Sequence, residues 1–230
     1  MTAAVRRGGS YTVDVVLLTP RAGNLALLVQ RDGVKGSALP WAAPRGTEVL
    51  AHSARQIVRL AAGADAGWLE QLSAFGGAER HPSGAAVSVG FVGVVAAAAA
   101  EAAMGQSGRR AARGAQWVAL ADVSGLAPRH AAMLEAAIEA VRGRLDHSPV
   151  AFKLLPATFT LSELQGTYEL LLGRRLHKAS FRRSLQAAYL VEPTDEWRSE
   201  GRGRPAQLYR YAPRKRRSSR RGVRFELLAT

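Results

Sequence analysis

The 230-residue sequence predicts an α+β protein of two unequal domains. Three observations carry that expectation. Strand-like apolar runs bracket helix-period segments as far as Leu145. A capped helix pair and a two-strand pattern follow the "DHSP" boundary. The charge also shifts there: of a formal net +14, the last 86 residues hold 17 basic and 8 acidic side chains, leaving them at +9. With 47% apolar residues the chain has enough for a core in each part.

Taken in order, "YTVDVVLL" (Tyr11 to Leu18) and "NLALLVQR" (Asn24 to Arg31) are β-rich runs, and "TPRAG" between them supplies Pro20 and Gly23 for a hairpin turn. A loop containing Trp41 follows. "EVLAHSARQIVRLAAG" then places Val49, Leu50, Ser53, Ile57, Leu60 and Ala61 at helical spacing, with Gly63 as the C-cap. "WLEQLSAF" and "AAVSVGFVGVVA" read as strands around the loop "GGAERHPSG", and "AQWVAL" as a short strand. The alanine-rich "AAAAAEAAMGQSGRRAARG" suits either a helical insertion or a surface loop. "APRHAAMLEAAIEAVRGRL" is a helix with Met133, Leu134, Ala137, Ile138 and Val141 at core spacing.

Beyond the boundary, "FTLSELQGTYELLLG" carries a capping box between Thr160 and Glu163, a stripe of Leu161, Leu164, Tyr168 and Leu171, and a closing Gly173. After "GRRLH" a second helix buries Phe181, Leu185 and Ala188 and turns Lys178, Arg182, Arg183 and Gln186 outward. Two short helices, a tight turn and a basic second helix make a helix-turn-helix, and "LVEP" with "QLYRY" would pair as its wing. The wing loop "GRGRPA" offers Arg202 and Arg204 to a minor groove, and "RGRP" is the core of an AT-hook. Six basic residues crowd Arg214 to Arg221, so the tail is expected to be disordered when free and to touch phosphates non-specifically. The boundaries read from the sequence are 1–147 for the first domain, 148–213 for the winged helix and 214–230 for the tail.

Composition excludes several classes. Cysteine is absent, which removes disulfide and thiolate chemistry and suits a reducing cytoplasm. The longest apolar run, Val87 to Ala100, is glycine-broken and shorter than the roughly 20 residues a membrane span needs. Gly8, Gly9 and Ser10 follow Arg6 and Arg7 where a signal peptide would be greasy. The expectation is a soluble cytoplasmic protein with no membrane partner. His52, His81, His130, His147 and His177 lack paired ligand spacing, so they read as surface or packing residues and no metal site or cofactor is expected. The density of positive charge favours a polyanion partner, nucleic acid over an acidic membrane, since each neutralised phosphate releases counterions, and the helix-turn-helix makes that partner double-stranded DNA.

The first half, with its strand hairpin, "ALPWAAPRGTEVLAHSARQIVRLAAGAD" and further strands and helix, resembles a Nudix domain. Together with "SPVAFKLLPATFTLSELQGTYELLLGRRLHKASFRRSLQAAYLVEPT" and "GRGRPAQLYRY", the whole chain resembles the Nudix-related transcriptional regulators of NAD metabolism. That resemblance implies a Nudix-like α/β/α sandwich followed by a winged helix. Active Nudix hydrolases hold Mg²⁺ with glutamates of the pattern GX5EX7REUXEEXGU, whose REUXEE falls here on Gln56, Ile57, Val58, Arg59, Leu60 and Ala61. Only Glu48 keeps its place, so the resemblance implies a domain that binds a nucleotide without cutting it.

The resemblance further implies a homodimeric repressor that senses ADP-ribose or another NAD-derived nucleotide and releases a palindromic operator when occupied. Its effector residues would be Arg31, Arg45 and Arg80, with Trp41 as a stacking partner. Its DNA contacts would include Ser180 beside Lys178, Arg182, Arg183 and Gln186. Two departures stand out: Trp41-Ala42 replaces a glycine pair after Leu39-Pro40, and Ser83 stands where an arginine is usual. The family's opening of the recognition helix is likewise replaced by His177, Lys178, Ala179 and Ser180. The competing readings are a Nudix-type diphosphate hydrolase with a nucleic-acid tether and a general nucleic-acid-binding protein without a sensor.

Overall fold

In the computed structural model, residues 11–32, 36–77, 81–105, 114–199 and 205–212 are described. The chain divides into two compact units, Met1–Ala140 and Val141–Thr230.

The first unit is built on a mixed sheet. Strand β1 (Tyr11–Arg21) pairs antiparallel with β2 (Asn24–Asp32), and on its other side parallel with β6 (Val87–Val94). Strand β5 (Trp68–Phe75) forms the edge beyond β6. Two short strands that the sequence did not reveal, β3 (Gly36–Ala38) and β4 (Trp41–Ala42), pair with β2 and β1. Trp41, expected in a loop, is therefore held in a strand opposite Asp14. Strand β7 (Gln116–Ala119) pairs with β2.

The hairpin is tighter than "TPRAG" suggested. β1 runs through Pro20 to Arg21, and the turn is Ala22-Gly23 alone, both at positive φ (48° and 77°) as a primed two-residue turn requires. Pro20 fits inside the strand because the ladder with β6 ends at Leu18, so its missing N–H leaves no gap there.

Side-chain alternation along β1 creates the layers. Val13, Val15 and Leu17 join a core with α1 (Leu50–Ala62) and with Ala100 of α2 (Ala97–Gly105), while Asp14 on the opposite face bonds to His130 of α3 (Pro128–Arg144). The alanine-rich segment is thus helical over Ala97–Gly105; residues 106–113 of it lie outside the described residues. The buried face of α1 differs from the expected one: it is Ser53, Ala54, Ile57, Val58, Ala61 and Ala62, while Val49 and Leu60 are 69% and 66% exposed. Ile57 and Val58 join the core with the smaller Ala54, Ala61 and Ala62 beside them. Val49 is the N-cap, outside the helix proper, and Gly63 at φ 67° closes the other end.

The second unit opens with a short 3-10 turn, Ala151–Leu154, and a two-residue strand β8 (Thr158–Phe159). Helix α4 (Leu161–Leu172) begins at the capping box: Thr160 Oγ1 accepts the Glu163 amide at 3.1 Å, and the Glu163 carboxylate accepts the Thr160 amide at 2.7 Å. Helix α5 (Lys178–Ala188) buries Phe181 and Leu185, with Phe181 edge-on to Tyr168 of α4 at 5.4 Å. Ala188, expected in that core, is only half-buried because it lies at the fraying end. Strands β9 (Val191–Arg198) and β10 (Ala206–Tyr211) form the wing, and β8 extends it to three strands in the order β8-β10-β9. The wing tip with Arg202 and Arg204 and the basic tail from Arg214 lie outside the described residues.

Both halves of the capping box are made, so Thr160→Ala is expected to lower stability by about 1 kcal/mol. Denaturant titration followed by circular dichroism checks this; an unchanged midpoint would mean the box contributes nothing.

Candidate functional site

The helix-turn-helix is pinned by carboxylates. Glu169 of α4 accepts the amide of Leu176 at 2.9 Å and pairs with Arg175, and Gln165 donates to the Leu176 carbonyl at 3.0 Å, so the turn into α5 is tied to α4 by side chains. Glu163 serves twice, since Arg198 of β9 grips both its oxygens at 2.7 and 3.1 Å while one still caps α4. Burial pushes the Glu163 carboxyl up, but the Thr160 amide and Arg198 outweigh it and hold it below the usual carboxylate range. The wing is thereby fastened to the first turn of α4.

On α5, Lys178, Arg183 and Gln186 are exposed. Arg182 is half-buried, with its Nε inside and, among the described residues, without a hydrogen-bond partner. Ser180 is half-buried and tied to His177, the N-cap, whose Nδ1 lies 3.1 Å from the Ser180 hydroxyl and accepts its amide at 3.4 Å. His177 is therefore a cap, a role its residue type did not announce.

The first unit contains a site that sequence reasoning missed. Asp14 is fully buried, and its Oδ1 lies 2.7 Å from Nε2 of His81 and 3.0 Å from Nε2 of His130, while Thr12 donates to Oδ2 at 2.7 Å. The Thr12 hydroxyl also meets Ser88 at 2.8 Å. Arg129, 2% exposed, donates to the Ala85 carbonyl at 2.7 Å beside the cluster. His81 and His130, expected as surface or packing residues, are instead core members of a polar network. Rings stack outward from it: His130 edge-on to His81 at 4.9 Å, and His81 edge-on to Trp41 at 5.1 Å.

Asp14, His81 and His130 bring three ligand atoms within 4.8 Å of one another, a grouping that could hold a metal. Their outer bonds argue against it. The Leu39 amide donates to Nδ1 of His130 at 3.1 Å, and the Ser83 amide donates to Nδ1 of His81, also at 3.1 Å. Each Nδ1 is thus an acceptor, which places the proton on Nε2, facing Asp14. A metal-bound histidine needs the reverse, with Nε2 bare and an acceptor beyond Nδ1. The arrangement is a carboxylate held by neutral imidazoles. Asp14 had one legible signal: a lone charge amid "YTVDVVLL" must find partners if buried. The partners, 67 and 116 positions away, had none.

Of the expected effector residues, Trp41 is half-buried at this network, and Arg31 and Arg45 are exposed at the end of β2 and before α1. Among the described residues these three make no hydrogen bond or ring contact with one another, and Arg80 lies outside them. Glu48 sits in the turn before α1, its amide donating to the Arg45 carbonyl at 3.1 Å. Helix α1 itself carries no carboxylate.

Residues 151–211 match the family model described as the NrtR DNA-binding winged helix domain. Over 211 residues, 87% of this chain and 81% of the relative, it is 32% identical to the ADPR responsive transcriptional repressor NtrR of Acinetobacter baylyi. The chain belongs to the NrtR family. It is similar to the crystal structure of Shewanella oneidensis NrtR complexed with a 27mer DNA, at 29% identity and a TM-score of 0.76, covering 89% of this chain and 94% of that one. A MutT/nudix family protein from Enterococcus faecalis shares the fold at 20% identity and a TM-score of 0.68, covering 90% and 89% of the two chains. The NrtR architecture, a Nudix-like sandwich and a DNA-binding winged helix, is thus the one the resemblance implied. No described helix is long and apolar enough to cross a membrane.

The network is expected to make the first unit of this NrtR-family chain acid-sensitive in a defined window. Burial presses His81 below the ordinary imidazole value of 6.5; Asp14 pulls it back in part, and His130 and Arg129 press it further down. Burial raises the Asp14 carboxyl, but hydrogen bonds from His130 and Thr12, together with His81, outweigh it and leave it below 3.8. A proton bound by the unfolded but not the folded chain destabilises the fold. The His81 contribution is therefore complete above pH 6.5 and declines below it, whereas that of Asp14 declines only below 3.8. Denaturant midpoints measured from pH 7 to 5 are expected to fall, by at most about 1.4 kcal/mol per pH unit for this proton, and His81→Gln should flatten the slope. A wild-type profile level across that range would contradict a neutral buried His81.

The same polarity predicts indifference to metal. Zn²⁺ or EDTA should leave Tm unchanged, and a shift beyond about 3 °C would show that the histidines have turned to bind an ion.

Proposed function

We propose that the chain is a homodimeric repressor of NAD-metabolism genes whose Nudix-like domain binds ADP-ribose, or a related NAD-derived nucleotide, without hydrolysing it. The observation that carries this reading is the winged helix, with Lys178, Arg183 and Gln186 exposed on α5, in a chain similar over 211 residues to an ADPR responsive repressor. A dimer would set two such helices on the half-sites of a palindromic operator, and occupation of the sensor would favour the form that releases it. Arg182 and Arg183 anchor phosphates, Lys178 and Ser180 in the first turn of α5 and Gln186 two turns on face the bases, and Arg202 and Arg204 enter the minor groove from the wing. Arg31, Arg45 and Arg80 face the diphosphate, with Trp41 against a ring of the nucleotide. The missing hydrolysis is supported by α1, where Ile57, Leu60 and Ala61 stand at the positions of metal-binding glutamates and offer no hard oxygen to Mg²⁺.

Gel shifts on DNA upstream of the chain's own gene neighbourhood test this reading. Specific binding should exceed that to random duplex by at least about 1,000-fold at physiological salt, and ADP-ribose should weaken it. Alanine at both Arg182 and Arg183 should cost about 100-fold or more, whereas removal of residues 214–230 should chiefly reduce the salt dependence. Equal affinity for operator and random DNA would point to a general nucleic-acid binder. Mg²⁺-dependent release of AMP from ADP-ribose would restore the hydrolase reading.

A further inference from the structure

We propose that His81 is a positioning residue that fixes the Trp41 indole as the stacking face for the aromatic base of the nucleotide effector. The inference rests on the effector reading above and adds to it the part of the ligand recognised and the device that recognises it.

Trp41 is held from two directions. Its backbone is fixed from behind: Val15 donates to the Pro40 carbonyl at 2.9 Å, and His130 accepts the Leu39 amide at 3.1 Å. Its ring is fixed from the side, because the His81 imidazole stands edge-on to it at 5.1 Å and 79°. His81 cannot turn freely, since Nε2 is bonded to Asp14 at 2.7 Å and Nδ1 meets the Ser83 hydroxyl at 2.6 Å and the Ser83 amide at 3.1 Å. Both histidines converge on one carboxylate oxygen, so backbone and ring of the Trp41 segment share a single anchor.

The network that satisfies Asp14 thus also holds the partly exposed Trp41 in place. A large aromatic whose rotamer is already fixed gives up little entropy when a flat partner stacks on it. The bases of nucleotides are such partners; a bare sugar phosphate is not.

The test uses the full-length protein labelled with 5-fluorotryptophan, whose four tryptophans give separable fluorine resonances, Trp41 being assigned by Trp41→Phe. ADP-ribose and AMP should move the Trp41 resonance, and ribose 5-phosphate should not. His81→Gln keeps an amide donor for Asp14 but removes the ring edge. In the free protein it should split or broaden the Trp41 line while the Trp68, Trp117 and Trp197 lines stay in place, and it should weaken ADP-ribose about tenfold by calorimetry. If the variant does not fold, Ser83→Ala, at an exposed loop position, carries the same comparison with a smaller change. An unaltered Trp41 line in the folded variant overturns the positioning role. A Trp41 line that ignores ADP-ribose while calorimetry records binding overturns the stacking role. Absence of any binding heat instead removes the effector reading, and the free-protein spectrum still decides whether His81 positions Trp41.

Discussion

A single buried carboxylate organises the first unit. Asp14 lies on the central strand with no exposed surface, and an ionised group there is tolerable only if donors replace its hydration. Thr12 supplies one from the same strand, His81 another from the loop before β6, and His130 a third from the first turn of α3. Each donor is itself specified by a further bond, to Ser88, to Ser83 and to Leu39. The charge thus decides where three segments separated widely in sequence must meet. A hydrogen bond to such a buried charge is typically worth about 1.5 to 3 kcal/mol, more than an exposed ion pair contributes. Neutral imidazoles suit the task better than cations would, because they donate without adding a second charge to desolvate.

The second unit repeats the device at its surface. Glu163 could have served as a helix cap and nothing more. By also receiving Arg198 it couples the start of α4 to the wing strand, and Glu169 couples the end of α4 to the start of α5. The relation between recognition helix and wing therefore rests on two carboxylates of one helix, each holding a neighbour through a charge-assisted bond. A winged helix needs that relation fixed, because groove and backbone contacts must be made together.

How much of this could be read in advance depended on sequence distance. The capping box, Gly173 and the Phe181-Leu185 face were visible because their partners lie within one or two turns. The hairpin was visible in kind but misjudged in length, since Pro20 reads as a breaker until the extent of the β6 ladder is known. On α1 the expected face was right at Ser53, Ile57 and Ala61 but rotated at its margins: Ala54, Val58 and Ala62 are buried, whereas Val49 and Leu60 are exposed. The polar network was invisible because no spacing rule joins positions 14, 81 and 130. Only the oddity of an aspartate inside an apolar strand pointed to it.

The geometry of α5 also sorts its polar residues in a way that composition could not. Ser180 shares its hydroxyl with His177, so any base it reads must compete with the cap. Arg182 has drawn its Nε inside the fold and is only partly exposed. Lys178, Arg183 and Gln186 remain exposed, and of these only Gln186 can both donate and accept in the paired manner that distinguishes adenine. Placed two turns into the helix, Gln186 needs α5 to lie deep in the major groove to reach a base edge. Depth is set by where the helix start and the wing rest on the backbone. Glu169 and Glu163 fix those elements, and in the proposed complex they would set that depth from within the fold.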